Sequence, residues 1–129
     1  MKPKIIIGNK NYSTWSLRPW LLMKEAGIDF DEHRILLDTP TTAKEIAEFS
    51  EAGKVPILQL DDVTVWESLA IAETIAERWP EKNLWPEDPA ESAHARAISA
   101  EMHSGVVHLR NCMPMNCRAM GRKVHIPDE

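Results

Sequence analysis

The feature that most constrains this chain is a pair of short apolar runs, Val55 to Leu60 and Val63 to Trp66, separated only by Asp61 and Asp62. Two turn-favouring residues between such runs predict a hairpin of antiparallel strands. Two strand–helix units precede it. Lys4 to Ile7 is a β-branched run closed by Gly8 and Asn9, which predicts a buried strand. Leu17 to Ala26 predicts a helix capped by Ser16, with Pro19 in its first turn and Gly27 beyond its end. Leu17, Trp20 and Leu21 mark its apolar side, with Lys24 at the margin. Asp31 to Leu37 predicts a second strand, and Thr42 to Phe49 a short helix with Ile46 and Phe49 facing inward. After the hairpin, Ser68 starts a helix in which Leu69, Ala72, Ile75, Ala76 and Trp79 recur at helical spacing until Pro80 stops it.

The order βαβαββα describes a small mixed α/β sheet with helices on its faces, the class that includes the thioredoxin-like fold. With 43% hydrophobic residues and five Trp, the 129-residue chain has enough apolar material for one such core. Residues 1–80 form the expected first domain. Residues 81–89, rich in Pro and acidic side chains, read as a linker anchored by Leu84 and Trp85. A long helix is expected from about Ala90 to Leu109, as the beginning of an all-α domain over 90–129. Ala93, Ala97, Ala100, Ser104 and Val107 lie on one face, and Ile98, Met102, Gly105 and Leu109 lie beside it. Gly105 inside a helix costs roughly 1 kcal/mol relative to Ala, which suits a close approach by another group. One helix cannot bury two such faces alone, so further helices or a partner chain are expected to cover them. Residues Met113 to Glu129 show no continuing pattern.

The chemistry-bearing residues cluster at three places. Ser13-Thr14-Trp15-Ser16-Leu17-Arg18 falls on the turn between the first strand and first helix, Gly53-Lys54-Val55-Pro56 precedes the hairpin, and Glu67-Ser68-Leu69-Ala70-Ile71 opens the closing helix. The first resembles the serine motif of zeta-class, maleylacetoacetate isomerase-like glutathione transferases, with Trp15 where that class has a cysteine. The wider run Gly8 to Leu22 resembles that of bacterial glutathione-transferase-like proteins. The second resembles the segment carrying the family's cis-proline, and the third its acidic-residue-plus-serine motif. Further on, Arg110 and Asn111 occupy the positions of a glutamine and asparagine pair that contacts substrate in the zeta class. The resemblance then stops, because the family's helical second domain needs more helices than follow.

The resemblance implies a cytosolic glutathione transferase superfamily member with glutathione as co-substrate, Ser13 as the thiol-activating residue and a homodimeric assembly. Asn11, Thr14, Lys54, Val55, Pro56, Glu67 and Ser68 become the glutathione-binding candidates, and Trp15, Arg110 and Asn111 those facing a small electrophile. The residue chemistry is compatible with each role. A hydroxyl at Ser13 can donate to a thiolate beside a helix N-terminus. No histidine lies near Ser13 in sequence to make it a covalent nucleophile. Val55 can offer extended backbone to a peptide ligand, Ser68 a helix N-terminus to a carboxylate, and Glu67 a partner to an ammonium. Ser13 and Ser68 also suit ordinary helix caps, Asn11 and Lys54 ordinary surface positions, and Trp15 ordinary packing.

Other readings are less well supported. A formal charge of −5, from 20 acidic and 15 basic residues, opposes nucleic-acid binding. Lys2, Lys4 and the run Ile5 to Ile7 are too short for a signal core or membrane span, so a cytoplasmic protein without a membrane segment is expected. Cys112 and Cys117 read as reduced thiols, and His94, His103 and His108 lack the spacing of a zinc pair, so no metal is expected. The first turn carries no cysteine for dithiol exchange. Three hypotheses remain: a transferase or cis-trans isomerase, a non-catalytic glutathione-binding module, or a portion of a longer enzyme.

Overall fold

The computed structural model describes residues 2–127, so Met1, Asp128 and Glu129 of the expected 1–80 and 90–129 segments lie outside the described residues. The elements are β1 (Lys4–Ile7), α1 (Thr14–Glu25), β2 (Asp31–Arg34), α2 (Thr42–Ala47), β3 (Ile57–Gln59), β4 (Thr64–Trp66), α3 (Ser68–Arg78), α4 (Pro89–Ser104) and α5 (Val107–Cys112). A 3₁₀ turn at Pro80–Lys82 follows α3. The sheet order is β2-β1-β3-β4. Strands β1 and β2 are parallel, with Lys4 opposite Asp31, whereas β1/β3 and β3/β4 are antiparallel, with Ile5 opposite Leu58 and Leu58 opposite Val65. The fold is thioredoxin-like, with the start of a helical region after it.

Alternation along the strands makes the core. Ile5, Ile7 and Leu58 face one side of the sheet and pack with Met23 of α1, Ile28, and Ile71 and Ile75 of α3. Ile6 and Ile57 face the other side, where Ile35 and Ile46 meet them, flanked by Phe49 and Val55. Gly8 allows the chain to close over this second layer: a Cβ there would lie 2.5 Å from Leu37 Cδ1.

Several boundaries differ from the sequence expectation. Helix α1 begins at Thr14, and its cap is Ser13, whose Oγ accepts from Ser16 N–H at 3.3 Å. Ser16 therefore sits inside the first turn and is buried. The inward stripe is Ser16, Pro19 and Met23, while Leu21 is 44% exposed. Pro19 lies beyond the first turn, where its missing N–H leaves the Trp15 carbonyl without an i→i−4 donor. Strand β2 ends at Arg34, although Ile35 N–H still donates to Ile7 O at 2.9 Å. Helix α2 ends at Ala47, before Phe49.

The expected 90–109 helix is two helices. Asp88 caps α4, its Oδ1 accepting from Ala90 and Glu91 N–H at 3.0 and 2.9 Å. Gly105 is the C-cap of α4, and Val106 adopts φ 53° before α5 begins. Gly followed by two β-branched residues is a poor helix interior, and the break falls there. Neither α4 nor α5 contains a buried residue. The segment after α5 folds back onto the β1–α1 loop, where Cys117 N–H donates to Asn11 O at 3.2 Å. Among the described residues, no helix is long and apolar enough to cross a membrane.

Candidate functional site

The N-termini of α1 and α3 frame the site. At α1, Ser13 Oγ–H donates to Ser16 Oγ at 2.9 Å, and Ser16 Oγ accepts from Gly8 N–H at 2.9 Å. The hydroxyl of Ser13 is thus both a cap and the outer end of a short relay to the end of β1. Thr14 and Trp15 follow as the first helical residues, half-buried beside it.

At α3 the geometry is different. Glu67, the N-cap, makes no side-chain capping bond and holds φ 68°, ψ 122°. A non-glycine residue in that region carries about 1–3 kcal/mol of backbone strain, which the surroundings must hold in place. Lys54 supplies one restraint through an ion pair with Glu67 Oε1. The uncapped N–H groups of this 11-residue helix provide a favourable field for an anion next to Ser68, which is 4% exposed.

A cavity of about 300 Å³ opens at this point, lined by Trp15, Lys54, Val55, Pro56, Glu67 and Ser68. The Val55–Pro56 peptide is cis, and Val55 lies just ahead of the β3 ladder. Ser68 also borders a second cavity of about 600 Å³ between α1, α3 and α4, whose walls include Leu22, Leu69, Ile98 and Met102.

Helices α4 and α5 bring His103 and Arg110, far off in sequence, to the site. Two guanidinium groups lie against the Trp15 ring, Arg18 at 4.4 Å and Arg110 at 4.6 Å from its centroid, and the Trp15 and His103 rings meet in a T-shaped contact at 5.1 Å. Arg110 also donates to the Met102 and His103 carbonyls across the α4–α5 break. His103 Nδ1 is 3.4 Å from Ser68 Oγ, and its Nε2 is 3.6 Å from Glu67 Oε2. Burial, followed by the like charge of Arg110, lowers the Arg18 guanidinium from its ordinary value. Behind α1, burial pushes the Glu32 carboxyl upward, but hydrogen bonds from Lys10 and Trp20 and the charges of Lys10 and Lys24 outweigh it, and the net direction is down.

Six of the residues expected from sequence therefore meet in one cavity: Trp15, Lys54, Val55, Pro56, Glu67 and Ser68. Asn11 is placed otherwise. It is 8% exposed, its Nδ2 donates to Asn116 Oδ1 at 2.9 Å, and its Oδ1 accepts from Arg118 N–H at 2.9 Å, so the carboxamide is committed to the C-terminal segment. Arg110 reaches Trp15, whereas Asn111 is exposed on α5 outside the cavity wall. His103 was overlooked as a site residue; its spacing argued only against zinc, and its place against Ser68 depends on how α4 docks. Cys112 and Cys117 are free thiols. Among the described residues, no group of three or more His, Cys, Asp or Glu side chains is arranged to hold a metal ion.

Comparison with known proteins defines the family. Residues 12–78 match the model of the glutathione S-transferase N-terminal domain. The chain belongs to that family. It is similar to a probable maleylacetoacetate isomerase of Caenorhabditis elegans, 34% identical over 110 residues, which cover 85% of this chain and 50% of the relative. It is also similar to the maleylacetoacetate isomerase of Rattus norvegicus, 32% identical over 113 residues, covering 85% and 51%. Among solved structures, a glutathione S-transferase from the Antarctic clam Laternula elliptica superposes with a TM-score of 0.75 at 28% identity, over 86% of this chain and 50% of that one. A glutathione transferase homologue from Burkholderia with bound glutathione gives 0.69 at 29% identity, over 81% and 56%. The chain spans about half the length of the curated relatives it matches.

Proposed function

We propose that this chain binds glutathione between α1 and α3 and that the protein acts as a glutathione transferase, with the Ser13 hydroxyl stabilising the glutathione thiolate for attack on a small electrophile. The observation that carries the reading is the cavity lined by Lys54, Val55, Pro56, Glu67 and Ser68 at the uncapped α3 N-terminus. Its chemistry suits a zwitterionic peptide: helix N–H groups and Ser68 for the γ-glutamyl carboxylate, Glu67 for its ammonium, Val55 backbone for the peptide unit and Lys54 for screening of charge at the rim. A family member with bound glutathione supports the same ligand here.

Activation by Ser13 has a definable cost. A free thiol has a pKa of about 8.5, and lowering it by two units needs roughly 2.7 kcal/mol of preference for the thiolate. To donate to sulfur, Ser13 Oγ–H must leave Ser16 Oγ. A charge-assisted hydrogen bond is about twice as strong as the neutral one it replaces, and the α1 N-terminus adds its dipole, so the exchange favours the anion. In this reading Thr14, next to Ser13 at the start of α1, is a further candidate contact for the sulfur, and Trp15 and Arg110 are the candidates for the electrophile side; the exposure of Asn111 on α5 speaks against a contact from that residue.

A second reading, glutathione-dependent cis-trans isomerisation, is favoured by the names of the relatives and by Arg18 and Arg110, which together place two cations on Trp15. In either reading residues 1–80 are the glutathione-binding domain, 81–89 a linker and 90–129 the start of a helical domain, in a cytoplasmic homodimer. Calorimetric titration of glutathione tests the core of the proposal. Saturable binding with activity toward electrophiles is expected; binding without turnover would mark a non-catalytic module, and no binding would overturn the assignment.

A further inference from the structure

We infer that His103 is a positioning residue of the glutathione site, contributed by α4, which holds Ser68 and Glu67 in the spacing that a γ-glutamyl group requires; the inference rests on the glutathione-binding reading above. Ser68 and Glu67 are adjacent in sequence but come from different backbone regimes, the first turn of α3 and a left-handed residue before it. Nothing within α3 fixes the Glu67 carboxylate, since it makes no capping bond. Two external groups do so. Lys54 takes Oε1, and the His103 ring lies against Oε2 at 3.6 Å while its other nitrogen lies 3.4 Å from Ser68 Oγ.

One imidazole therefore spans both members of the subsite. Its nitrogens can act as a donor toward the carboxylate and an acceptor from the hydroxyl at the same time, a pairing that a planar ring with two opposed nitrogens satisfies without moving. The separations are longer than settled hydrogen bonds, as is common before a ligand draws a site together. The ring is itself held from behind. Its edge meets Trp15 at 5.1 Å, and Arg110 caps the His103 carbonyl at 3.5 Å, so α1 and α5 both fix where α4 presents it. The consequence is that the γ-glutamyl end of the ligand is sensed by the helical region, although every group expected to touch it belongs to the first eighty residues.

The test is a ligand-truncation series on three proteins: wild type, His103→Phe, which keeps the ring contact with Trp15 but has no nitrogen, and His103→Gln, which restores one donor and one acceptor. Dissociation constants are measured by competition for glutathione, γ-glutamylcysteine and cysteinylglycine. We expect His103→Phe to weaken the two γ-glutamyl ligands by about tenfold and leave cysteinylglycine unchanged, with His103→Gln recovering most of the loss. Equal weakening of all three ligands, unchanged binding by His103→Phe, or a His103→Gln variant as poor as His103→Phe would each overturn the role. Failure of the wild type to bind any γ-glutamyl ligand would instead remove the glutathione reading, and this role with it.

Discussion

Asn11 and Asn116 clasp the two ends of the chain: Asn11 Nδ2 donates to Asn116 Oδ1 at 2.9 Å across 105 positions of sequence. The same Asn116 oxygen accepts from Arg118 and Ala119 N–H, and the same Asn11 carboxamide accepts from Arg118 N–H through its oxygen. The loop that carries Ser13 is therefore held from the C-terminal side as well as by β1.

Replacing Asn116 by Ala leaves a nearly buried Asn11 amide without its acceptor. The expected cost is about 1–3 kcal/mol in equilibrium denaturation. An unchanged midpoint would show that the clasp contributes nothing to the folded state.

Ser13 serves two proposed purposes that substitutions can separate. Ser13→Ala should lose about 1 kcal/mol of cap stability together with thiol activation. Ser13→Asp keeps a capping oxygen but sets a negative charge against the thiolate, so it should retain stability and still abolish activation. Denaturation curves and the pH dependence of thiolate absorbance for bound glutathione report the two quantities separately. A bound thiol that ionises as readily in Ser13→Asp as in the wild type would count against the electrostatic role.

Glu32 gives a pH signature away from the site. Its carboxyl lies below the ordinary glutamate value of about 4.3 in the folded protein, so the unfolded chain binds that proton more readily. The stabilisation is present above that value and is lost as pH falls through the lower, folded one. Glu32→Gln should therefore be less stable than wild type at neutral pH, and the difference should close on acidification. A pH-independent difference would refute the assignment.

The α4–α5 break is set by two residues, and opposite outcomes are expected from them. Val106 is β-branched at φ 53°, so Val106→Gly should stabilise by roughly 0.5–1 kcal/mol. A Cβ at Gly105 would lie 2.8 Å from the Glu101 carbonyl oxygen, so Gly105→Ala should destabilise and shift the helix end. Thermal melts of both variants check the pair; destabilisation by Val106→Gly would argue for a continuous helix in solution.

Arg110 tests the charge preference of the electrophile. Arg110→Met should lower kcat/KM for an anionic electrophile severalfold more than for a neutral one. Equal losses on both would reduce Arg110 to a packing residue on Trp15.

What the sequence made legible follows the range of the forces involved. The strands could be read because Ile5 to Ile7 and Val55 to Leu60 announce burial within a few residues, and the Lys54–Ser68 wall of the cavity could be read because its members lie on adjacent elements. On α1 the expected Trp20 does pack against the core, but the fully buried positions are Ser16, Pro19 and Met23 and Leu21 is exposed; a buried serine and proline carry no apolar signal in the sequence pattern. The bonding of the Asn11 carboxamide to Asn116 could not be read because 105 positions of sequence separate the two. His103 stayed hidden because its place against Ser68, 35 positions away in sequence, depends on how α4 docks.

The indole of Trp15 has two guanidinium groups against its ring and borders the cavity proposed for the ligand. Fixed charges beside an indole tune the energy of its excited state, so the emission of this one tryptophan should shift whenever an anionic guest draws either arginine away. The protein thus carries an intrinsic optical gauge of occupancy, readable without a label once the other four tryptophans are subtracted by Trp15→Phe.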